Sequence, residues 1–236
     1  MIAAMTLKTL LMIVLPLGQV FAQVDPFKGD PAPALPPPNL LTRYEAFSME
    51  LKQAADLQRE SPPDALLYEQ MVAAVARGNA AQESLMVLRS RSGMKAVTDS
   101  SREIIYPTEY MPVFRKDFTA GKPPVSTVTS LLGTAFETRG AGDRLEIEVI
   151  LGDAGGIHLR TVVSHVKFLG TSRYGQGASE AEVPLFSVQS INTAAMIKAG
   201  VPFLLGKTNS REAAGEVTKP DGRIWFSFAT VDITQP

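Results

Sequence analysis

Apolar positions along this chain change period near Ala80: before it they return every third or fourth residue, and after it every second. Beginning at Asn39, which suits an N-cap, Leu40, Leu41, Tyr44, Phe47, Leu51 and Ala54 fall on one face of a helix, so the spacing predicts an amphipathic helix there. A second helix is predicted from Ser61, with Pro62 at the first helical position, Asp64 three residues after the cap, an apolar stripe of Leu67, Met71 and Val75, and a stop at Gly78 and Asn79. Further on, Leu145, Ile147, Val149 and Leu151 alternate with Glu146 and Glu148, which predicts a strand with one apolar and one acidic face. The cluster Asp153 to Gly156 predicts a turn, and Ile157, Leu159, Thr161 and Val163 resume the alternation, completing a β-hairpin. A long loop with Gly170, Gly175 and Gly177 is expected before a third extended run, Leu185 to Ile197. In the last run, Arg223 to Thr234, Trp225 and Val231 share one face and Phe226 and Phe228 the other, so this strand is expected to lie between two layers.

The N-terminal residues follow a different logic. Lys8 precedes an apolar run from Thr9 to Leu17 that is too short to span a bilayer, and Val20 and Ala22 are placed as a signal peptidase requires. The expectation is a signal peptide over 1–22, cleaved after Ala22. Pro31, Pro33, Pro36, Pro37 and Pro38 then exclude a helix or a central strand, which predicts a polyproline-like spacer over 23–39. The organisation expected beyond it is a helical segment over 40–79 and a β-domain over 80–236.

Composition narrows the chemistry. With no cysteine, the chain has no disulfide, thiolate metal site or cysteine nucleophile. At 236 residues and 45% hydrophobic content it can bury a core, and its formal net charge of -1 gives no global attraction to nucleic acid or anionic lipid. No later segment has the roughly 20 apolar residues of a membrane-spanning helix, so insertion would require strands closed into a barrel. The two histidines, His158 and His165, are seven positions apart on one predicted strand and point to opposite faces, each at a surface or boundary, so they share no metal. Gly140 and Gly142 begin a G-x-G that leads into a strand, not a helix, which removes dinucleotide binding. There is no G-x-S-x-G elbow, and Glu103 and Glu109 have no pattern placing them across a cleft. The expectation is a protein without catalytic residues, metal or cofactor.

Several short motifs, in order, carry a family resemblance. Ser92-Gly93-Met94-Lys95-Ala96 resembles a "G-Q-K-A" turn, and Glu103 to Tyr110 resembles a variant strand that follows it. Ala135 to Arg139, then Gly142 and the strand Leu145 to Leu151, resemble a short strand and glycine ahead of a long hairpin. Pro184-Leu185-Phe186-Ser187, Ser190-Ile191-Asn192-Thr193, Ile197 to Gly200 and Phe203-Leu204-Leu205-Gly206 resemble a "P-hydrophobic-F-S" lead-in, an Asn-Thr strand and a closing glycine signature. Together, over roughly Leu85 to Thr234, they resemble the C-terminal β-domain of the secretins, the outer-membrane channels of type II and III secretion and of type IV pili. Leu205-Gly206 stands where many secretins have Gly-Gly, and the polar stretch Lys207 to Gly222 where they have a proline- and leucine-rich lip.

The resemblance implies an α+β, mainly β fold: signal peptide, proline-rich linker, two amphipathic helices, then an antiparallel secretin-like β-domain. It also implies edge strands that pair between copies to close a homo-oligomeric barrel, with other secretion or pilus components and the outer membrane as further partners. Glu146 and Glu148 would face water, either in a lumen or on an ordinary solvated sheet face, and Gly93, Gly142, Gly200 and Gly206 would serve turns or close backbone approaches. The alternative reading is a soluble periplasmic scaffolding or binding module that kept the sheet without forming a pore.

Overall fold

The computed structural model describes residues 38–152, 155–214 and 217–234. The expected signal peptide with Ala22, nearly all of the proline-rich spacer, and Asp153 of the hairpin turn lie outside the described residues. In chain order the elements are β1 (Asn39–Glu50), α1 (Leu51–Glu60), α2 (Asp64–Ala76), β2 (Ala80–Arg91), β3 (Lys95–Asp117), β4 (Val125–Leu151), β5 (Gly156–Tyr174), β6 (Ala181–Lys198), β7 (Phe203–Ala214) and β8 (Val217–Thr234). They make two antiparallel sheets, sheet A in the order β2-β1-β8-β7 and sheet B in the order β3-β4-β5-β6. The fold is α+β and mainly β.

The first predicted helix is corrected by this arrangement. Residues 39–50 form a strand, and the helix begins only at Leu51. β1 is a central strand buried on both faces: Leu40, Tyr44 and Ala46 face sheet B, while Phe47 and Met49 pack with the helices. A strand covered on both sides loses the period-two signal, and its dense apolar residues then coincide with helical spacing. Two full ladders, to β2 and to β8, satisfy its backbone, which a lone helix turn there could not match.

The second helix begins later than expected, at Asp64 after the Pro62-Pro63 pair. Ser61 instead ends α1 in a left-handed conformation (φ 45°), its N–H and its hydroxyl both donating to the Gln58 carbonyl, at 3.2 and 3.1 Å. Asp64 accepts a hydrogen bond from the Leu204 N–H (3.1 Å), which ties the start of α2 to β7. Leu67, Met71 and Ala74 bury the inner stripe of α2 against Phe47, Phe226 and Phe228, and the chain leaves the helix at Gly78 (φ 75°) and Asn79. Side chains of this size contribute roughly 1.5–3 kcal/mol each when fully buried.

Sheet A is therefore the middle layer. One face carries the helices; the other packs Leu40, Tyr44, Ala229 and Val231 against Leu145, Ile147, Val149, Ile157, Leu159 and Val163 of sheet B. β8 lies between the two cores, Phe226 and Phe228 in one and Ala229 and Val231 in the other, with Trp225 packed against the second. This is the placement its two apolar faces predicted.

Sheet B holds all four strands together only over a short length. β4 and β5 pair from Gly142↔Val166 to Leu151↔Ile157, the hairpin predicted from the alternation. Beyond that, β3 and β4 continue as one hairpin to Asp117↔Val125, and β5 and β6 as another to Tyr174↔Ala181. The long loop expected around Gly170, Gly175 and Gly177 is mostly strand: Gly170 sits at a bulge within β5, and only the segment 175–180 connects β5 to β6. A bulge takes up one residue without ending the pairing, so a glycine there reads in sequence as a break.

Candidate functional site

The borders of sheet B are long. β3 runs for 23 residues and β6 for 18, and among the described residues each pairs with a strand on one side only. Pro107 and Pro112 fall on β3 and Pro184 on β6, strands on which a missing N–H costs no ladder bond. The proline-free stretches of these borders are Lys95–Tyr106 and Leu185–Lys198.

The β3–β4 arm exposes large apolar side chains on its surface, among them Ile105, Met111, Phe114, Leu132 and Phe136, with Phe118 near its tip 79% exposed. Such density of exposed apolar surface marks a contact face in a folded protein. The two arms touch. Phe186 of β6 meets Tyr106 of β3 and Phe168 of β5 at ring separations of 5.9 and 5.6 Å, Arg139 stands 4.8 Å over it, and the Tyr110 hydroxyl donates to the Glu182 carbonyl at 2.5 Å.

Glu146 and Glu148 lie on the outward face of sheet B, opposite to buried Leu145, Ile147 and Val149. Both are neutralised locally. Lys95 reaches Glu146 at 2.5 Å, Arg144 lies 3.9 Å from it and 3.2 Å from Asp99, and Arg160 lies 3.5 Å from Glu148. Hydrogen bonds from Ser101 and Arg144 hold the Asp99 carboxyl below its ordinary value. This face is a ladder of alternating signs across three strands, not a bare acidic stripe.

The four singled-out glycines are spread along the β-domain. Gly93 lies in the β2–β3 turn (φ 78°) and Gly200 in the β6–β7 turn (φ 70°), while Gly206 lies at an irregularity of the β7–β8 pairing. Gly142 is different: at φ 154°, a Cβ there would come within 2.1 Å of the Ser100 carbonyl oxygen. It sits where the β3–β4 arm departs from β5.

Behind Gly142 is a polar junction that the sequence reading missed. His158 is exposed as expected, but His165 is buried between the sheets, with 8% of its surface exposed. Its Nδ1 is 2.9 Å from Asp143 Oδ1 and its Nε2 is 2.7 Å from the Tyr44 hydroxyl, which is 2.9 Å from Ser227 Oγ. Ser84 donates to Asp143 Oδ2 at 2.6 Å. With His165 neutral, Nδ1–H donates to the carboxylate and Nε2 accepts from the phenol, so every group finds a partner. Burial raises the Tyr44 pKa and keeps the phenol protonated. Burial also works to raise Asp143, but hydrogen bonds from His165 and Ser84 outweigh it and leave the carboxyl below its ordinary value. The signal was present in the sequence: the register that pairs Leu151 with Ile157 also sets Asp143 opposite His165.

No family model and no curated protein matches the sequence. Among solved structures, the chain is similar to a chain of the Klebsiella pneumoniae type II secretion system outer membrane complex of PulD, PulS and the PulC HR domain, with 9% identity and a TM-score of 0.46 over 86% of this chain and 41% of that one. It is similar to the type II secretion system secretin GspD of E. coli K12, with 10% identity and a TM-score of 0.46 over 86% and 51%. The Vibrio cholerae type IV competence pilus secretin PilQ is a third, with 13% identity and a TM-score of 0.41 over 85% and 62%. The chain spans about half the length of the secretin chains that it matches, from 41% to 62% of them. Among the described residues, no helix is long and apolar enough to cross a membrane, which leaves crossing by strands open.

Proposed function

We propose that this protein is a secretin-like subunit of a protein secretion or pilus system, exported to the periplasm or outer membrane, that assembles with copies of itself into a β-barrel channel or collar. The observation that carries the reading is the pair of open borders on sheet B, whose proline-free stretches Lys95–Tyr106 and Leu185–Lys198 have no further strand beside them among the described residues. Because neighbouring strands alternate in direction, β6 of one copy and β3 of the next would meet antiparallel, continuing the pattern of the sheet. Closure into a ring removes edges that would otherwise aggregate. The ordered secretin-like motifs in the sequence support the same reading. Signal-peptide cleavage after Ala22, a role for Glu146 and Glu148 on a water-facing wall, and action without catalysis or cofactor belong to this proposal.

The test is the state of the full-length protein expressed with its export signal and extracted from membranes in mild detergent. Large ring-shaped particles, resistant to heating in detergent and recovered with the outer-membrane fraction, are the expected outcome. A monodisperse monomer confined to the soluble periplasm would overturn the proposal and favour the scaffolding or binding module without a pore.

A further inference from the structure

Where the two sheets part beside Gly142, a cleft of about 450 Å³ opens onto the polar junction. That volume suits a small molecule. Its walls carry aromatic surface from Trp225 and Phe168, and its lining includes His165 and Gln189, each 8% exposed. We infer that this cleft binds a small organic anion with an aromatic or apolar body, held through Arg102, Lys167, Gln189 and Trp225.

The charges argue for an anion: the lining carries Arg102, Lys167 and Arg223 against Glu83 and Asp143, and both carboxylates already accept hydrogen bonds from the protein. Asp143 is occupied by His165 and Ser84. Glu83 accepts from the Ser48 hydroxyl, and Arg223 donates to Ser48, to its carbonyl at 2.9 Å and its hydroxyl at 2.8 Å. Arg102 and Lys167, from β3 and β5, also line the cleft and are exposed, and neither has a hydrogen bond or ion pair among the described residues.

The floor supplies donors as well. The Thr208 hydroxyl donates to Gln189 Oε1 at 2.5 Å, which fixes the amide and leaves its NH₂ group without a partner among the described residues. The indole N–H of Trp225 likewise has none among the described residues, and its ring packs 5.2 Å from His165. Donors that line a cleft without a protein acceptor are available to a ligand oxygen. Guanidinium and ammonium groups at the mouth add charge-assisted hydrogen bonds to a carboxylate or phosphate. Aromatic walls favour a ligand with an apolar body. This inference does not depend on ring formation and is tested separately from it.

Trp225 is the one tryptophan of the chain, so its fluorescence reports on the cleft directly. The full chain is titrated with benzoate and with phenyl phosphate, and in parallel with neutral benzyl alcohol and cationic benzylamine. Saturable fluorescence changes with the two anions, absent with the other two probes, are expected, and the stronger of the two anions distinguishes a carboxylate from a phosphate ligand. The double variant Arg102→Gln/Lys167→Gln should weaken anion binding by roughly tenfold or more, since two charge-assisted contacts are lost. Gln189→Leu removes the floor donor while keeping the cations and should weaken binding too, with circular dichroism showing an unchanged fold. No saturable response to either anion, equal binding of benzyl alcohol or benzylamine, or unchanged affinity in both variants would each overturn the inference.

Discussion

Thr42 and Thr161 are fully buried on the strands that face each other across the two sheets, and the hydroxyl of each lacks a hydrogen-bond partner among the described residues. A threonine suits a strand by its shape, but an unpaired hydroxyl in an apolar layer opposes folding. Replacing either with valine keeps the branched shape and removes the polar atom. Thr42→Val and Thr161→Val should each raise stability by about 1 kcal/mol, read as a higher urea midpoint at unchanged slope. A drop in the midpoint would mean that these hydroxyls have a partner in solution. Asp143 has the opposite character, a half-buried carboxylate that is well served. Its folded pKa lies below the ordinary value, so the unfolded chain takes up the proton more readily. The stabilisation is complete above the unfolded carboxyl value of about 4 and is lost as pH falls through the lower folded one. Asp143→Asn should therefore flatten the acid limb of a plot of urea midpoint against pH, and an acid limb as steep as in the parent would contradict that assignment.

The β3–β4 arm depends on one backbone contact. Alanine at 142 would bring its Cβ to 2.1 Å from the Ser100 carbonyl oxygen and 2.6 Å from the Ser101 Cα, in a conformation that L side chains rarely adopt. Gly142→Ala should cost about 1–3 kcal/mol or more, because β3 has to move away from β4. Gly121→Ala, in the turn at the arm's tip with nothing within 4 Å of the added methyl, should cost less, and urea midpoints compare the two directly. Elements with one wet and one dry face were legible in the sequence. The hairpin of β4 and β5 is the clearest case, since Glu146 and Glu148 mark its outer face. β1 was not legible, because burial on both sides erased its alternation. The outer half of β3 was legible only in part: the resemblance put a strand over Glu103 to Tyr110, across Pro107, which a border strand tolerates, while its continuation to Asp117 and the outer half of β4 carried no periodic signal. The Asp143–His165 pair was within reach of the hairpin register but not of helical or strand periodicity alone.

For the proposed assembly, the absence of cysteine offers a clean probe. Single cysteines placed in the Lys95–Tyr106 stretch of β3 and the Leu185–Lys198 stretch of β6 should form disulfide-linked ladders between copies under mild oxidation when one from each strand is combined. Cysteine pairs with both members on β4 and β5, which are interior to sheet B, should give no such ladder. Equal cross-linking from interior and border positions would argue against strand pairing between copies. The order of strands in sheet A has its own effect on how the chain reaches this state. β1 lies directly beside β8, and the Thr234 hydroxyl donates to the Asn39 carbonyl across 195 positions of sequence. A polypeptide emerging N-terminus first, from a ribosome or a translocation pore, cannot complete sheet A until β8 has followed β1. The strands of sheet B are all made in the interval, so sheet A, which frames the core, is the later of the two to close.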